Sequence, residues 1–261
     1  MNPTELMDEI GGVPFVDDAT FKPKALLTAV AVVRRSADPK AYSTLGEYLD
    51  PAKAEQVFVR QAAAKPDHIP WGEIASDEAE AIERASELVV STMPAWRPLF
   101  HMPKRYRRME KSISSTTVLI PQTIYLGPEA FRDEETLRET LIHEHAHVWL
   151  HFIAEVYDLQ TAEAPHDYVL PSGTANKSYR GVLLAAHFAA AAAATLRQRA
   201  DEGDGQVEGR MRFLTQYLDG CLSSLSERPH GSVVGDLVQE SLTHKYHELA
   251  QAAAAKAGSG S

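Results

Sequence analysis

The sequence predicts a mainly α-helical protein with a small β element, an α+β fold whose metal site lies between two long helices. Long stretches have the apolar periodicity of helices and are separated by proline and glycine. One segment, 113–126 (ISSTTVLIPQTIYL), is rich in β-branched residues. A long helical pattern with two histidines one turn apart follows it. Together these three observations give the fold class.

The elements before the strand segment are predicted to be helical. Prolines interrupt residues 1–75, and a helix over 51–64 begins with Pro51 in its first turn. A clearer amphipathic helix spans 77–93, with Ser76 as its N-cap and Pro94 ending it.

The strand segment and the helices after it form the second part of the prediction. Pro121 places a bend or an edge within 113–126, because proline cannot donate to a sheet ladder. Asp133 is predicted to cap a helix that runs to about Asp158. Further helices are expected over 179–200, 207–226 and 232–256. We therefore expect an N-terminal helical region (1–110) packed on a metal-binding catalytic core (111–256), followed by a linker-like tail (257–261).

Composition narrows the function classes. The 261 residues carry a net charge of −10, which argues against a general nucleic-acid binder. The single cysteine, Cys221, leaves no cysteine-rich metal cluster. Neither a secretory signal nor a membrane span is expected, so the predicted location is the cytoplasm. Residues 104–111 contain a basic run, which comprises Lys104, Arg105, Arg107, Arg108 and Lys111. This run is either a solvated surface or a binding site for an anion or an acidic peptide.

The segment 141–147 (LIHEHAH) contains the H-E-x-x-H motif and carries the chemistry. His143 and His147 are four residues apart, so on a helix both imidazoles reach the same cation. Glu144 is rotated by about 100° from His143 and can lie beside the metal. Apolar residues on both sides of the motif predict that this helix is seated in a core.

A third metal ligand must come from another part of the chain. The metzincin extension fails, because Leu150 replaces its glycine and Ile153 its third histidine. His187, within an alanine-rich helix, is the favoured third ligand. His145 is expected to point away from the metal. His151 continues the face of His147 and could contact a metal ligand without binding the metal itself. The alternatives to His187 are Glu163, His166 and Asp167.

Residues 116–200, about a third of the chain, resemble the α-ketoglutarate-dependent HExxH-type peptide β-hydroxylases that modify ribosomally made peptides. The similar segments are TVLIPQTIYLGP, LRETLIHEHAHVWL and NKSYRGVLLAAHFA. The resemblance implies that His143, His147 and His187 hold Fe(II). It also implies that α-ketoglutarate and oxygen are used to hydroxylate a side-chain β-carbon of a precursor peptide.

The carboxylate of α-ketoglutarate would need a basic partner under this interpretation. Arg180 is the candidate, or else Lys177, since a guanidinium pairs bidentately with a carboxylate. Arg97 and Arg105 are weaker alternatives. Family members commonly have Arg-Pro and a paired glycine before this helix, whereas this sequence has Lys177, Ser178 and Arg180-Gly181.

Two competing functions remain open. In a zinc metallopeptidase, Glu144 would be the general base on a zinc-bound water and Asp167 would complete the site. In a non-catalytic peptide-binding protein the metal would be structural, although structural zinc sites usually have four protein ligands. In the oxygenase, Glu144 would instead orient a ligand or a metal-bound water.

Overall fold

The computed structural model describes residues 2–61, 70–117, 119–199 and 205–259. It divides into two compact units, Pro23–Val156 and Met1–Lys22 with Tyr157–Ser261. These boundaries differ from the predicted one near residue 110, and the predicted functional division stays a prediction. The described residues are mostly helical and include a three-stranded mixed sheet, which confirms the mainly α class with a small β element.

In chain order, the described helices are α1 (Pro3–Ile10), α2 (Pro23–Ala37), α3 (Pro51–Gln61), α4 (Ser76–Thr92), α5 (Arg97–Phe100), α6 (Glu134–Val156), α7 (Tyr179–Arg199), α8 (Gly205–Glu227) and α9 (Val233–Ser259). Six of the described helices, α3, α4 and α6–α9, begin and end close to the positions predicted for them, and the predicted helix residues 62–64 and 200 lie outside the described residues. Short 3₁₀ turns cover Leu45–Leu49, Pro94–Trp96 and Pro128–Phe131.

Two helix starts test the predicted caps. Asp133 caps α6 as predicted, since its Oδ1 accepts a hydrogen bond of 2.7 Å from the Thr136 N–H. The prediction for α4 was wrong by one residue, because Ala75 occupies the cap position and Ser76 is already helical. Glu78 compensates for the missing cap side chain by accepting a hydrogen bond from the Ala75 N–H at 3.3 Å.

The β-branched segment forms two strands, and a further strand precedes it. The strands are β1 (Arg105–Arg108), β2 (Ser114–Thr117) and β3 (Ile120–Leu126), in the sheet order β1-β3-β2. β1 is parallel to β3 and β2 is antiparallel to it. Pro121 lies in β3, the central strand. The neighbouring Ile120 pairs with Thr117 of β2, and Tyr125 pairs with Ser115, and the register between β2 and β3 shifts between these two pairs. The prediction that Pro121 lies outside a central strand was wrong, but the proline falls where the β2–β3 ladder is irregular, so its missing N–H interrupts no regular pairing.

Helix α6 is the central helix of the unit Pro23–Val156, where it packs against α2, α4 and β2. Trp149 in its middle is fully buried, and its indole N–H donates to the Leu99 carbonyl at 3.0 Å. Nearer its end, Glu155 accepts two hydrogen bonds of 2.8 Å from the buried Arg34 on α2. Arg34 also donates to the Tyr48 carbonyl and to Gln122. These contacts fix α6 against the sheet and α2.

Gly127, directly after β3, allows a close backbone approach. A Cβ atom there would lie 1.9 Å from the Ser112 carbonyl oxygen, which is too close without moving the backbone. We expect Gly127→Ala to reduce the free energy of unfolding by about 2–3 kcal/mol in urea denaturation, as overpacking typically does. Gly46→Ala is the matched control, because nothing lies within 4 Å of its added Cβ. Equal stability of the two variants would contradict this account.

The unit formed by residues 1–22 and 157–261 is built from α1, α7, α8 and α9. α7 packs against α8 and α9, and small alanines along it permit close helix contacts. Among the described helices, α7 alone is long and apolar enough to cross a membrane. Because 67% of that apolar window is buried within the structure, α7 has the burial of a core helix.

Candidate metal site

His143, Glu144 and His147 bring their ligand atoms together on α6. One ligand atom from each lies within 4.8 Å of the other two. The two imidazole rings are 4.3 Å apart between centroids, with an interplanar angle of 80°. The spacing therefore places both histidines on one face of the helix, as predicted. Within the part of the chain that the structure describes, no other three His, Cys, Asp or Glu residues meet this closely.

Glu144 is a buried carboxylate beside these imidazoles. Only 2% of the residue is exposed, and its Oε2 lies 4.0 Å from His147 Nδ1. That oxygen accepts no hydrogen bond from any residue in the described ranges. Burial raises the pKa of Glu144 to about 7, and the hydroxyl groups of Ser114 and Thr116 on β2 oppose part of this rise.

The imidazole of His143 is in the protonation state that a metal requires. Burial lowers the pKa of His143 to about 4 because the charged form loses its solvation. At neutral pH the ring is therefore uncharged and one nitrogen carries a lone pair.

His145 belongs to the core and not to the metal group. Its Nδ1 is 2.7 Å from the Leu141 carbonyl oxygen, and its Nε2 is 3.3 Å from the Tyr106 hydroxyl. The ring stacks on Phe100 at 4.2 Å. His151, by contrast, continues the metal face of α6, with its ring centroid 6.4 Å from that of His147.

The Glu144 carboxyl gives the metal-free protein a predictable pH dependence. A carboxyl whose pKa is higher in the folded state adds stability below its unfolded pKa, and this contribution is lost as the pH rises through about 7. In the presence of a metal chelator, we expect the free energy of unfolding of wild type to fall by about 2–3 kcal/mol more than that of Glu144→Gln as the pH is raised from 5 to 8. Urea unfolding at both pH values measures this difference. If the free energy of unfolding of the two proteins changes with pH in the same way, the raised pKa of the Glu144 carboxyl is contradicted.

His187 and the other candidate ligands belong to the unit of residues 1–22 and 157–261. His187 is fully buried on α7, with its Nε2 2.6 Å from the Pro14 carbonyl oxygen. Asp167 forms an ion pair with Arg228 at 2.6 Å. In the sequence, Glu163 and His166 belong to the connection that follows α6 and precedes α7. The assignment of the third metal ligand among these residues stays a prediction.

The residues predicted to bind the cosubstrate lie near the start of α7. Lys177 pairs through its backbone with Tyr168. The backbone N–H of Arg180, in the first turn of α7, donates to Gln160 at 2.9 Å. Their predicted role toward α-ketoglutarate concerns their side chains, and it stays a prediction.

The basic run forms β1 and the segments beside it, and two of its arginines pair with acidic side chains. Arg105 pairs with Glu55 at 2.6 Å, and Arg108 pairs with Glu78 at 2.9 Å. Arg107 stacks on the Trp71 ring at 3.3 Å. Arg97, a weaker candidate for the cosubstrate, pairs with Glu87 at 3.3 Å. These pairings favour the structural interpretation of the run over an anion site.

Ser114 and Thr116 on β2 lie near Glu144, and the sequence alone did not indicate this. The segment carrying them was predicted as a strand, but the side of that strand facing the motif helix depends on its register with β3. Their signal in the sequence is a run of small hydroxyl residues, SSTT, ahead of the motif.

No protein-family model matches the chain, and no curated protein has a significantly similar sequence.

Proposed function

We propose that this protein is a metal-dependent enzyme that acts on a peptide, with the metal ion held by His143 and His147. The observation that carries this proposal is the pair of imidazoles on one face of α6 with the buried Glu144 carboxylate beside them, all three ligand atoms within 4.8 Å of one another. Neutral imidazoles suit iron and zinc alike. The buried Glu144 Oε2, which accepts no hydrogen bond from the described residues, fits a site where a bound ion or its water is the missing partner.

The proposed reaction is hydroxylation of a side-chain β-carbon in a ribosomally made precursor peptide. The resemblance of residues 116–200 to the peptide β-hydroxylases supports this choice. Bound Fe(II) would supply oxygen activation, with α-ketoglutarate as the co-reactant that is converted to succinate and CO₂. One oxygen atom of O₂ enters the substrate C–H bond and the other enters succinate. In this reaction Glu144 would orient a metal ligand or a metal-bound water beside His143 and His147. The proposed location is the cytoplasm, where such precursor peptides are made.

A zinc peptidase is the second candidate, and the position of Glu144 favours it. A carboxylate that lies within 4.8 Å of both imidazoles is placed to take a proton from a water near them. Bound zinc would supply the acidified water, and Glu144 would then be the general base.

Loading the full-length protein with metal distinguishes these reactions. With Fe(II) and α-ketoglutarate under anaerobic conditions, the oxygenase should develop a weak visible charge-transfer band, and addition of oxygen should produce succinate. If neither signal develops while zinc restores cleavage of peptides, the oxygenase is excluded and the peptidase replaces it.

The third ligand is tested separately by metal retention. We expect His187→Ala to lose bound metal after gel filtration, as the resemblance implies. Full retention in this variant would redirect the search to Asp167, Glu163 and His166, each tested by alanine substitution in the same assay.

A further inference from the structure

Ion pairs give the basic run a structural role at Arg105 and Arg108, and Arg107 between them is the exception. Arg105 also donates to the Thr123 hydroxyl at 2.9 Å, and Arg108 donates to the Leu126 carbonyl at 3.1 Å. The side chain of Arg107 forms neither an ion pair nor a hydrogen bond with any residue in the described ranges. Its guanidinium group carries five N–H donors, and all of them are available to a ligand.

Trp71 holds the Arg107 side chain in place without using these donors. The guanidinium carbon lies 3.3 Å from the centroid of the indole ring, so the two groups stack. The N–H groups lie in the guanidinium plane and point outward from its edge. The segment carrying Trp71 is itself fixed to β1, because Gly72 and Arg108 exchange two backbone hydrogen bonds of 2.8 Å. Arg107 is thus a charged donor whose position is set before a ligand binds.

Two hydroxyl groups lie in one row with Arg107 across the sheet. Tyr125 on β3 stands opposite Arg107 on β1 and opposite Ser115 on β2. Residues that stand opposite one another present their side chains to the same face of a sheet, on strands about 4.8 Å apart.

The Tyr125 phenol is a buried donor in this row. The residue is 1% exposed, and its hydroxyl forms no hydrogen bond within the part of the chain that the structure describes. Burial raises the pKa of Tyr125, and the charge of Arg107 opposes part of this rise. The phenol therefore keeps its proton at neutral pH, and it lies close enough to Arg107 to share a ligand with it.

This row lies on the face of the sheet that points away from α6. Tyr106, the neighbour of Arg107 on β1, reaches His145 of α6 with its hydroxyl at 3.3 Å. Because successive side chains of a strand alternate between the two faces, Arg107 points to the other face. The row is therefore separate from the candidate metal group, and the proposed function does not use it.

A phosphate group suits this set of donors. The edge of a guanidinium donates two parallel hydrogen bonds to two oxygens of a carboxylate or a phosphate. A phosphate has further oxygens outside that plane, which hydroxyl groups on the neighbouring strands can meet, whereas a carboxylate has none. We propose that Arg107, Tyr125 and Ser115 bind the phosphate group of a small phosphorylated molecule. Trp71, which is 43% exposed, offers an apolar surface to the rest of that molecule.

NMR titration of the metal-free, full-length protein with phenyl phosphate tests this site. The amide resonances of Arg107, Ser115 and Tyr125 and the indole N–H resonance of Trp71 should shift together, with a Kd of about 1–10 mM. Benzoate, which carries a carboxylate in place of the phosphate, should bind at least about tenfold more weakly. Shifts confined to other residues, or equal binding of benzoate, would overturn the inference.

Three substitutions show whether the row itself binds the phosphate. Arg107→Gln should weaken binding of phenyl phosphate at least about tenfold, and Tyr125→Phe, which removes only the hydroxyl, at least about threefold. Lys111→Gln is the matched control, because it removes one positive charge from an exposed position of the same run and should change the Kd less than about twofold.

The control also decides between a built site and general attraction of an anion. Equal weakening in Arg107→Gln and Lys111→Gln would overturn the inference, because both variants lose the same charge. A circular dichroism melt checks that each variant folds. If Arg107→Gln does not fold, unchanged binding in Tyr125→Phe would overturn the inference, and weakened binding would support it.

Discussion

His143→Ala and His147→Ala are each expected to abolish stable metal binding. Each variant leaves one imidazole of a pair whose rings lie 4.3 Å apart, so the affinity for Zn²⁺ or Fe²⁺ should fall by more than about 100-fold. Elemental analysis after gel filtration should find about one ion per chain in wild type and close to none in either variant.

Thermal unfolding gives a second measure of the same loss. An ion present at 100 times its dissociation constant should stabilise wild type by about 2.7 kcal/mol, whereas neither variant should be stabilised at that concentration. His101→Ala is the matched control, because 56% of its side chain is exposed and it lies outside the metal group. Metal retention in both motif variants would refute the site.

Arg34→Met is expected to cause the largest loss of stability in the unit Pro23–Val156. Arg34 is 2% exposed, and it donates to both oxygens of Glu155 as well as to the Tyr48 carbonyl and Gln122. Its removal leaves the Glu155 carboxylate buried without a counter-charge, which costs about 3–5 kcal/mol. Urea denaturation at pH 7 measures the difference.

Two further variants show that the buried charge causes this loss. The double variant Arg34→Met with Glu155→Met removes both charges, and it should be more stable than Arg34→Met alone. Arg84→Ala breaks an exposed pair with Glu80, whose side chain is 73% exposed, and should change stability by less than about 0.5 kcal/mol. A loss in Arg34→Met no larger than that in Arg84→Ala would contradict the buried-pair account.

The sequence was sufficient to predict six of the nine described helices and the motif group, because local patterns determine both. Asp133 caps α6 through contacts within one turn. His143 and His147 meet because the helical repeat alone puts residues four apart on one face. The predicted strand segment was also correct, although it divides into β2 and β3.

Features that depend on long-range pairing could not be predicted. β1 was missed because Arg105–Arg108 has no apolar alternation, and its pairing with β3 is visible only in the sheet. Arg34 looks like a surface residue near the end of an amphipathic helix, yet its partner Glu155 lies 121 residues away. The position of Ser114 and Thr116 near Glu144 likewise depends on the register of β2 with β3.

Anomalous diffraction from crystals of the full-length protein soaked with zinc tests the central claim most directly. Data collected on both sides of the zinc absorption edge locate the ion without reference to activity. The account predicts one strong peak bonded to a ring nitrogen of His143 and of His147, at about 2.0–2.1 Å from each. A fully occupied peak elsewhere, with none between these two imidazoles, would contradict it.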